Sequence, residues 1–226
     1  MRAQLRLAGI SALVAGLVHL LQFASLGVGG LLVEERYPDP ASVADGYWFG
    51  VVGTVTFTII GLAYLVFFSA ATDLAWGRTG NPVWRRAAQS AATIGIAGWL
   101  LAGANNLAYR GFNAAGIAEA AGGDSAAGAA ALQSTYVTQS AASIAMAIAF
   151  GAWLVAFAVQ GRRAGAFGMP TAILTVIVAV IPVLGWLLNV GGVPVIILYF
   201  FVLAPVLLRN ARAVRNVDSA PVAVAQ

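Results

Sequence analysis

Cysteine is absent from the 226 residues, which removes disulfides, thiolate metal sites, iron–sulfur clusters and cysteine nucleophiles. Lysine is absent too: the 12 basic residues are all arginine, so no Schiff base, and no retinal linkage of the rhodopsin kind, is open to this chain. Only 9% of the residues are charged and there is a single histidine. One imidazole neither ligates a haem from both faces nor assembles a metal site unaided, so no metal and no cofactor is expected. A Ser/His/acid triad would lack its buried acid, and no catalytic residue is assigned. The glycine clusters belong to turns and packing seams, and none has the setting of a phosphate-binding loop.

What the chain has instead is apolar sequence. Hydrophobic residues make up 61% of it, far above the average of soluble domains. A bilayer core about 30 Å thick takes roughly 20 apolar residues per helical span. Six stretches meet that need or approach it: 7–32, 47–74, 87–109, 132–160, 169–188 and 195–208. The fold class expected is therefore all-α: a polytopic transmembrane bundle of six spans, forming one domain over residues 1–215 and followed by a disordered cytoplasmic tail, 216–226. Arg2 and Arg6 before the first run are reminiscent of a secretory signal, but that run is too long for one and no small-x-small cleavage site follows it. Gly111 to Ala131 carries too many glycines and charges to make a seventh span. Pro182 is expected to kink the fifth helix.

Arginine placement gives the expected orientation. With the N-terminus inside, Arg2, Arg6, Arg78, Arg85, Arg86, Arg162, Arg163, Arg209, Arg212 and Arg215 fall on one side, ten against Arg36 and Arg110 on the other. By the positive-inside rule both termini are cytoplasmic, and the cell inner (plasma) membrane is the expected location. An odd span count would move the three C-terminal arginines to the wrong side. The net charge of +4 is thereby a topology signal, and no nucleic-acid partner is expected.

Intramembrane ionisable groups are costly and point to function. His19, thirteen residues past Arg6, lies near the expected bilayer centre, and no carboxylate joins it, since Asp73 belongs to a helix end. That argues against carboxylate-coupled pumping. Uncharged polar residues remain: Gln22 on the face of His19, Thr54 and Thr58, Asn105 and Asn106, Tyr136 and Gln139, all at or outward of the midplane. Two readings are open. These residues are interhelical hydrogen-bond partners, or they converge on an outward-facing ligand pocket with His19 at its floor. The tryptophans are read as interfacial belt or packing residues, with no stacking site among them. Small-residue stripes, Ala8/Ala12/Gly16, Gly95/Gly98 and Ala141/Ala145/Ala149, mark helix contacts within the chain, with a second copy or with a membrane-complex partner.

With this layout, and with residues such as Val18-His19-Leu20-Leu21-Gln22 in its first helix, the chain resembles uncharacterised bacterial integral membrane proteins of six helices and about this length. The resemblance implies a bacterial membrane and no particular activity. The function expected is non-enzymatic: binding of a lipid-like or small apolar ligand among membrane lipids, or service as an accessory subunit of a membrane complex. A small-molecule transporter or channel is the alternative, and an intramembrane enzyme using His19 the second alternative.

Overall fold

A computed structural model of the protein describes residues 1–32, 47–77, 81–110, 125–187 and 193–218. Six helices account for nearly all of them, and no strand occurs among the described residues. In chain order they are α1 (Arg2–Leu32), α2 (Tyr47–Trp76), α3 (Pro82–Arg110), α4 (Ser125–Arg163), α5 (Met169–Leu187) and α6 (Val193–Asp218).

Each apolar run became a helix, and local chemistry sets several of the ends. Asn81 caps α3: its Oδ1 accepts the Val83 N–H at 2.9 Å, with Pro82 at the first helical position, where its missing N–H and fixed φ cost nothing. The end of α4 is closed by paired backbone bonds, Ala166 N–H to Gly161 O at 2.8 Å and Gly165 N–H to Arg162 O at 3.0 Å. That pattern needs a left-handed residue at its centre, and Gly165 supplies it with φ 73°. Several bounds differ from expectation, among them the start of α1, at Arg2 rather than 7. α3 begins at Pro82 rather than 87, because the cap reaches back past Arg85 and Arg86. α4 begins at Ser125 rather than 132, since the alanine-rich segment ahead of its apolar part is itself a good helix former. α6 continues to Asp218, three residues into the expected tail, while 219–226 lie outside the described residues. Pro182 falls in the last two turns of α5 rather than near its middle.

Consecutive helices run antiparallel. Gly9 and Gly16 of α1 meet Leu208 and Phe200 of α6; Gly61 and Gly103 tie α2 to α3; Gly95 and Gly98 face Phe150 and Met146 of α4. α1 packs on α2 and α6, α3 on α2 and α4, α5 mainly on α4 and thinly on α6, and α2 reaches across to α4. The alternation gathers Arg2, Arg6, Arg85, Arg86, Arg162, Arg163, Arg209, Arg212 and Arg215 at one end of the bundle, with Arg110 at the other. At that arginine end, Asp73 pairs with Arg85 across the α2–α3 turn at 2.5 Å.

The outside of the bundle is apolar as well as its core. Leu7, Leu17, Leu21, Leu62, Leu65, Ile173, Ile177 and Leu198 are exposed around the outside of the bundle, an apolar surface far larger than water-soluble monomers carry. Five helices are long and apolar enough to cross a membrane, and α5 contributes a shorter apolar helix, Met169–Ile181. The molecule is thus an all-helical bundle of membrane-protein character.

Close approach at two seams is made by glycine. A Cβ at Gly98 would stand 2.9 Å from Ala142 O, and one at Gly151 2.9 Å from Ala179 O. A backbone carbonyl has nowhere to go, so only glycine lets these helices touch. Of the small-residue stripes, Ala8 and Ala12 are buried as expected and Gly16 packs on Phe200. The α4 stripe divides: Ala149 is buried, whereas Ala141 and Ala145 are exposed. Met146, Phe150 and Trp153 fix the rotation of α4 by filling the space between helices, which turns Ala141 and Ala145 outward.

Candidate functional site

All six helices border one cavity of about 530 Å³ at the centre of the bundle. Its volume suits a drug-sized molecule, and its walls are mostly rings: Phe57, Tyr64 and Phe68 from α2, Trp99 from α3, Phe150 from α4 and Tyr199 and Phe200 from α6. Helical spacing places them there, since Phe57, Tyr64 and Phe68 recur at seven and four residues along one face of α2. The rings also brace one another. Phe68 and Phe150 stack at 4.6 Å with a 14° interplanar angle, and Tyr64 meets Phe150 edge-on at 5.1 Å.

His19 forms part of the wall and both its ring nitrogens are engaged. Nδ1 lies 2.7 Å from Ala15 O; a carbonyl only accepts, so Nδ1 carries the proton. Nε2 lies 3.1 Å from the Tyr64 hydroxyl and, in the neutral ring, accepts the Tyr64 O–H. Trp99 packs on the imidazole at 5.2 Å and Phe200 stacks on it at 6.2 Å. With 1% of its surface exposed, His19 is a hydrogen-bonded, enclosed histidine, and its lone pair is already taken. Nothing in its first contacts is a carboxylate, so a proton drawn onto Nε2 would displace Tyr64 with no anion to hold the resulting cation.

The remaining polar groups of the wall divide sharply. Trp99 donates its ring N–H to Phe57 O at 2.8 Å. Thr175 donates to Thr171 O at 2.7 Å, which leaves the Tyr199 hydroxyl as the donor in their 3.1 Å contact. These groups have spent their hydrogens. Gln22, Gln139 and Ser143 also line the cavity, but none of their side chains hydrogen-bonds to a described residue. Gln22 is 4% and Ser143 5% exposed, and their polar atoms open onto the cavity rather than being buried in protein. Gln22 from α1 and Gln139 and Ser143 from α4 thus offer hydrogen bonds to the cavity from two helices that do not pack on each other among the described residues. All three lie on the side of the cavity away from the arginine end: Gln22 follows His19 along α1, and Gln139 and Ser143 precede Phe150 along α4.

The structure therefore brings His19, Gln22 and Gln139 to one cavity and leaves other expected site residues out. Thr54 donates to Gly50 O and Gly103 O, at 2.9 and 3.2 Å, and so ties α2 to α3. Thr58 is exposed on the outer face and bonds back to Thr54 O at 2.9 Å. Both are rotated off the cavity because Phe57 and Tyr64 occupy that face. Asn105 is half-buried and does not line the cavity, and its Nδ2 is buried without a partner. Asn106 and Tyr136 lie on α3 and α4, but their side chains are outside the described residues. Reading the sequence missed Ser143 and the aromatic wall, above all Tyr64 and Trp99. The spacing Gln139, Ser143, Met146, Phe150 puts all four on one helical face and was the available signal for Ser143. The tryptophans split by position: Trp48 and Trp84 are exposed near helix starts, while Trp76, Trp99 and Trp153 are core.

Among the described residues no group of three or more histidines or acids could hold a metal ion. Comparison of the chain with protein-family models, with curated proteins and with solved structures found no match. What the site does is therefore argued from its geometry.

Proposed function

We propose that this protein is a six-span integral membrane protein, with both termini on the cytoplasmic face of a bacterial inner membrane, whose task is to hold a lipid-like or small apolar ligand in the cavity between its six helices. The single observation that carries the reading is that cavity: about 530 Å³, walled by rings, with three unpaired polar side chains at one end. α5, at 19 residues, is about 28 Å long at 1.5 Å per residue, close to the roughly 30 Å of a hydrocarbon core, so a sixth span is physically reasonable. The arginine end facing the cytosol follows the positive-inside rule. The outward-turned Ala141/Ala145 stripe offers a close-packing face to a second copy or a membrane-complex partner, and the annular lipids are partners in any case.

The test is to purify the protein in mild detergent and extract what comes with it for mass spectrometry, beside an Ala147→Trp variant. Ala147 is a buried lining residue, and an indole there fills the space without touching the helix ends. A stoichiometric small molecule in the native protein, lost in the folded variant, is the expected result. Finding none in either, or the same amount in both, would sink the proposal. Sidedness is tested separately and cheaply, because the chain has no cysteine: Asn81→Cys and Trp48→Cys each report alone, and labelling of both from the same side of intact cells would overturn the topology.

A transporter is the second reading, favoured by one observation, the thin contact between α5 and α6. Both helices line the cavity, and a seam that opens there would let the ligand leave into the bilayer. Saturable flux in proteoliposomes, abolished by a disulfide between α5 and α6, would establish it over static binding.

A further inference from the structure

Resting on the binding role proposed above, we infer that the ligand is an uncharged, ring-bearing amphiphile whose head, a hydroxyl or carbonyl oxygen, is held by Gln22, Gln139 and Ser143 while its body lies among the rings. Three observations lead there. First, among the described residues no charged side chain lines the cavity, and the imidazole at its wall, His19, is already bonded on both nitrogens, to Ala15 O and to the Tyr64 hydroxyl. An ionic head would enter a low-dielectric site without a counter-ion, which is prohibitive. Second, among the described residues the free hydrogens in the cavity belong to Gln22, Gln139 and Ser143, because the Trp99 N–H and the hydroxyls of Tyr64, Tyr199 and Thr175 are committed to protein acceptors. A head that accepts hydrogen bonds is therefore fixed at one end of the cavity and nowhere else, while the amide oxygens also take a hydroxyl hydrogen. A purely apolar ligand would leave all three groups unsatisfied. Third, toward the arginine end the wall is formed by Phe67, Phe68, Phe150, Leu154 and Val178, with no free hydrogen-bonding group among the described residues, so the body must be apolar. Flat faces such as the Phe68–Phe150 stack favour offset contact with a ring over a disordered chain.

The experiment uses four probes that share a body and differ in the head: 4-octylphenol, octylbenzene, 4-octylbenzoate and 4-octylbenzyltrimethylammonium. Binding to the full chain in nanodiscs is measured by equilibrium dialysis with empty nanodiscs subtracted. 4-Octylphenol is expected to bind saturably and at least tenfold more tightly than the other three. In a Gln22→Leu/Gln139→Leu variant its advantage over octylbenzene should fall to less than threefold, with octylbenzene binding more tightly than to the native protein, which shows the cavity intact. Ser143→Ala should reduce the advantage by a smaller factor and serves if the double variant does not fold. Equal binding of all four probes, tighter binding of either ion, or a phenol preference that survives both variants would overturn the inference while leaving the binding role standing. Saturable binding of none of them would overturn both.

Discussion

The half of the bundle at the arginine end and the half opposite treat polar side chains in contrasting ways. Toward the arginines, Trp153 donates to Thr72 Oγ1 at 3.1 Å, Asn210 donates to Ala166 O at 2.6 Å, and Asp73 holds Arg85. The rings there interlock: Phe68 meets Trp153 edge-on at 4.5 Å, and Trp153 stacks on Phe157 at 4.7 Å. In the opposite half the helices stand around a cavity, and Gln22, Gln139 and Ser143 face it without partners. Gln4 Oε1 and Arg85 Nε, at the arginine end, are also buried without partners, but both belong to half-buried residues near helix starts and neither borders a cavity. On the binding role proposed above, one half is built for stability and the other gives up packing for a site. Unpaired amides inside a membrane bundle persist only where something else satisfies them.

The contrast breaks first where packing is densest. Trp153→Ala removes an indole that is 1% exposed and orphans Thr72. Large-to-small changes of this size cost about 3–5 kcal/mol in soluble cores. The lower end is expected here, because in a bundle surrounded by lipid the loss is one of dispersion contacts and a hydrogen bond rather than of burial from water. Thermal unfolding in detergent should show the largest drop of the series, and a drop no larger than that of a cavity-lining change such as Phe57→Ala would erase the distinction between the halves. Next comes Gly98→Leu, whose first side-chain carbon already meets Ala142 O; overpacking of about 1–3 kcal/mol should appear in the same assay. An unchanged melting point would mean that α3 and α4 are not held at glycine distance.

Tyr64→Phe probes the boundary between the halves. It strips the hydrogen bond from His19 Nε2 and leaves a buried acceptor unsatisfied, for about 1–3 kcal/mol. The double change Tyr64→Phe/His19→Leu should be less destabilising than Tyr64→Phe combined additively with His19→Leu, since removing both partners leaves nothing orphaned. Additivity in that cycle would deny the bond its role.

Much of the bundle was legible before any coordinates. Long apolar runs need helices in lipid whatever their packing, so all six helices were visible, and arginines at the ends of runs predicted which ends share a face. The bounds that slipped most, at α1, α3, α4 and α6, are ends where polar or alanine-rich turns extend a helix past its apolar part, and hydropathy does not register those. Half of the site was legible too. His19 and Gln22 share a face by arithmetic, and Gln139 stood out as an amide in an apolar setting. What stayed hidden was rotation: Thr54 and Thr58 have the composition of pocket residues, yet Phe57 and Tyr64 claim the inward face of α2, and which face wins is decided by tertiary packing. Tyr64 as the partner of His19, forty-five residues away in sequence, is information no local pattern holds.

The smallest expected effect is the most telling one. Gln22→Leu/Gln139→Leu replaces two unpaired amides with apolar side chains of similar volume in a wall that is otherwise apolar. In ligand-free protein the change should be close to neutral, because no protein hydrogen bond is lost and both amides open onto the cavity rather than being buried in protein. A comparable substitution in the other half, Asn210→Leu, should destabilise, because Asn210 is bonded to Ala166 O. Unfolding of the three proteins after exhaustive delipidation measures the sign directly. If the Gln22/Gln139 variant proves as damaged as the Asn210 variant, the two amides were bonded after all, and they are glue between helices rather than a site left open for a ligand.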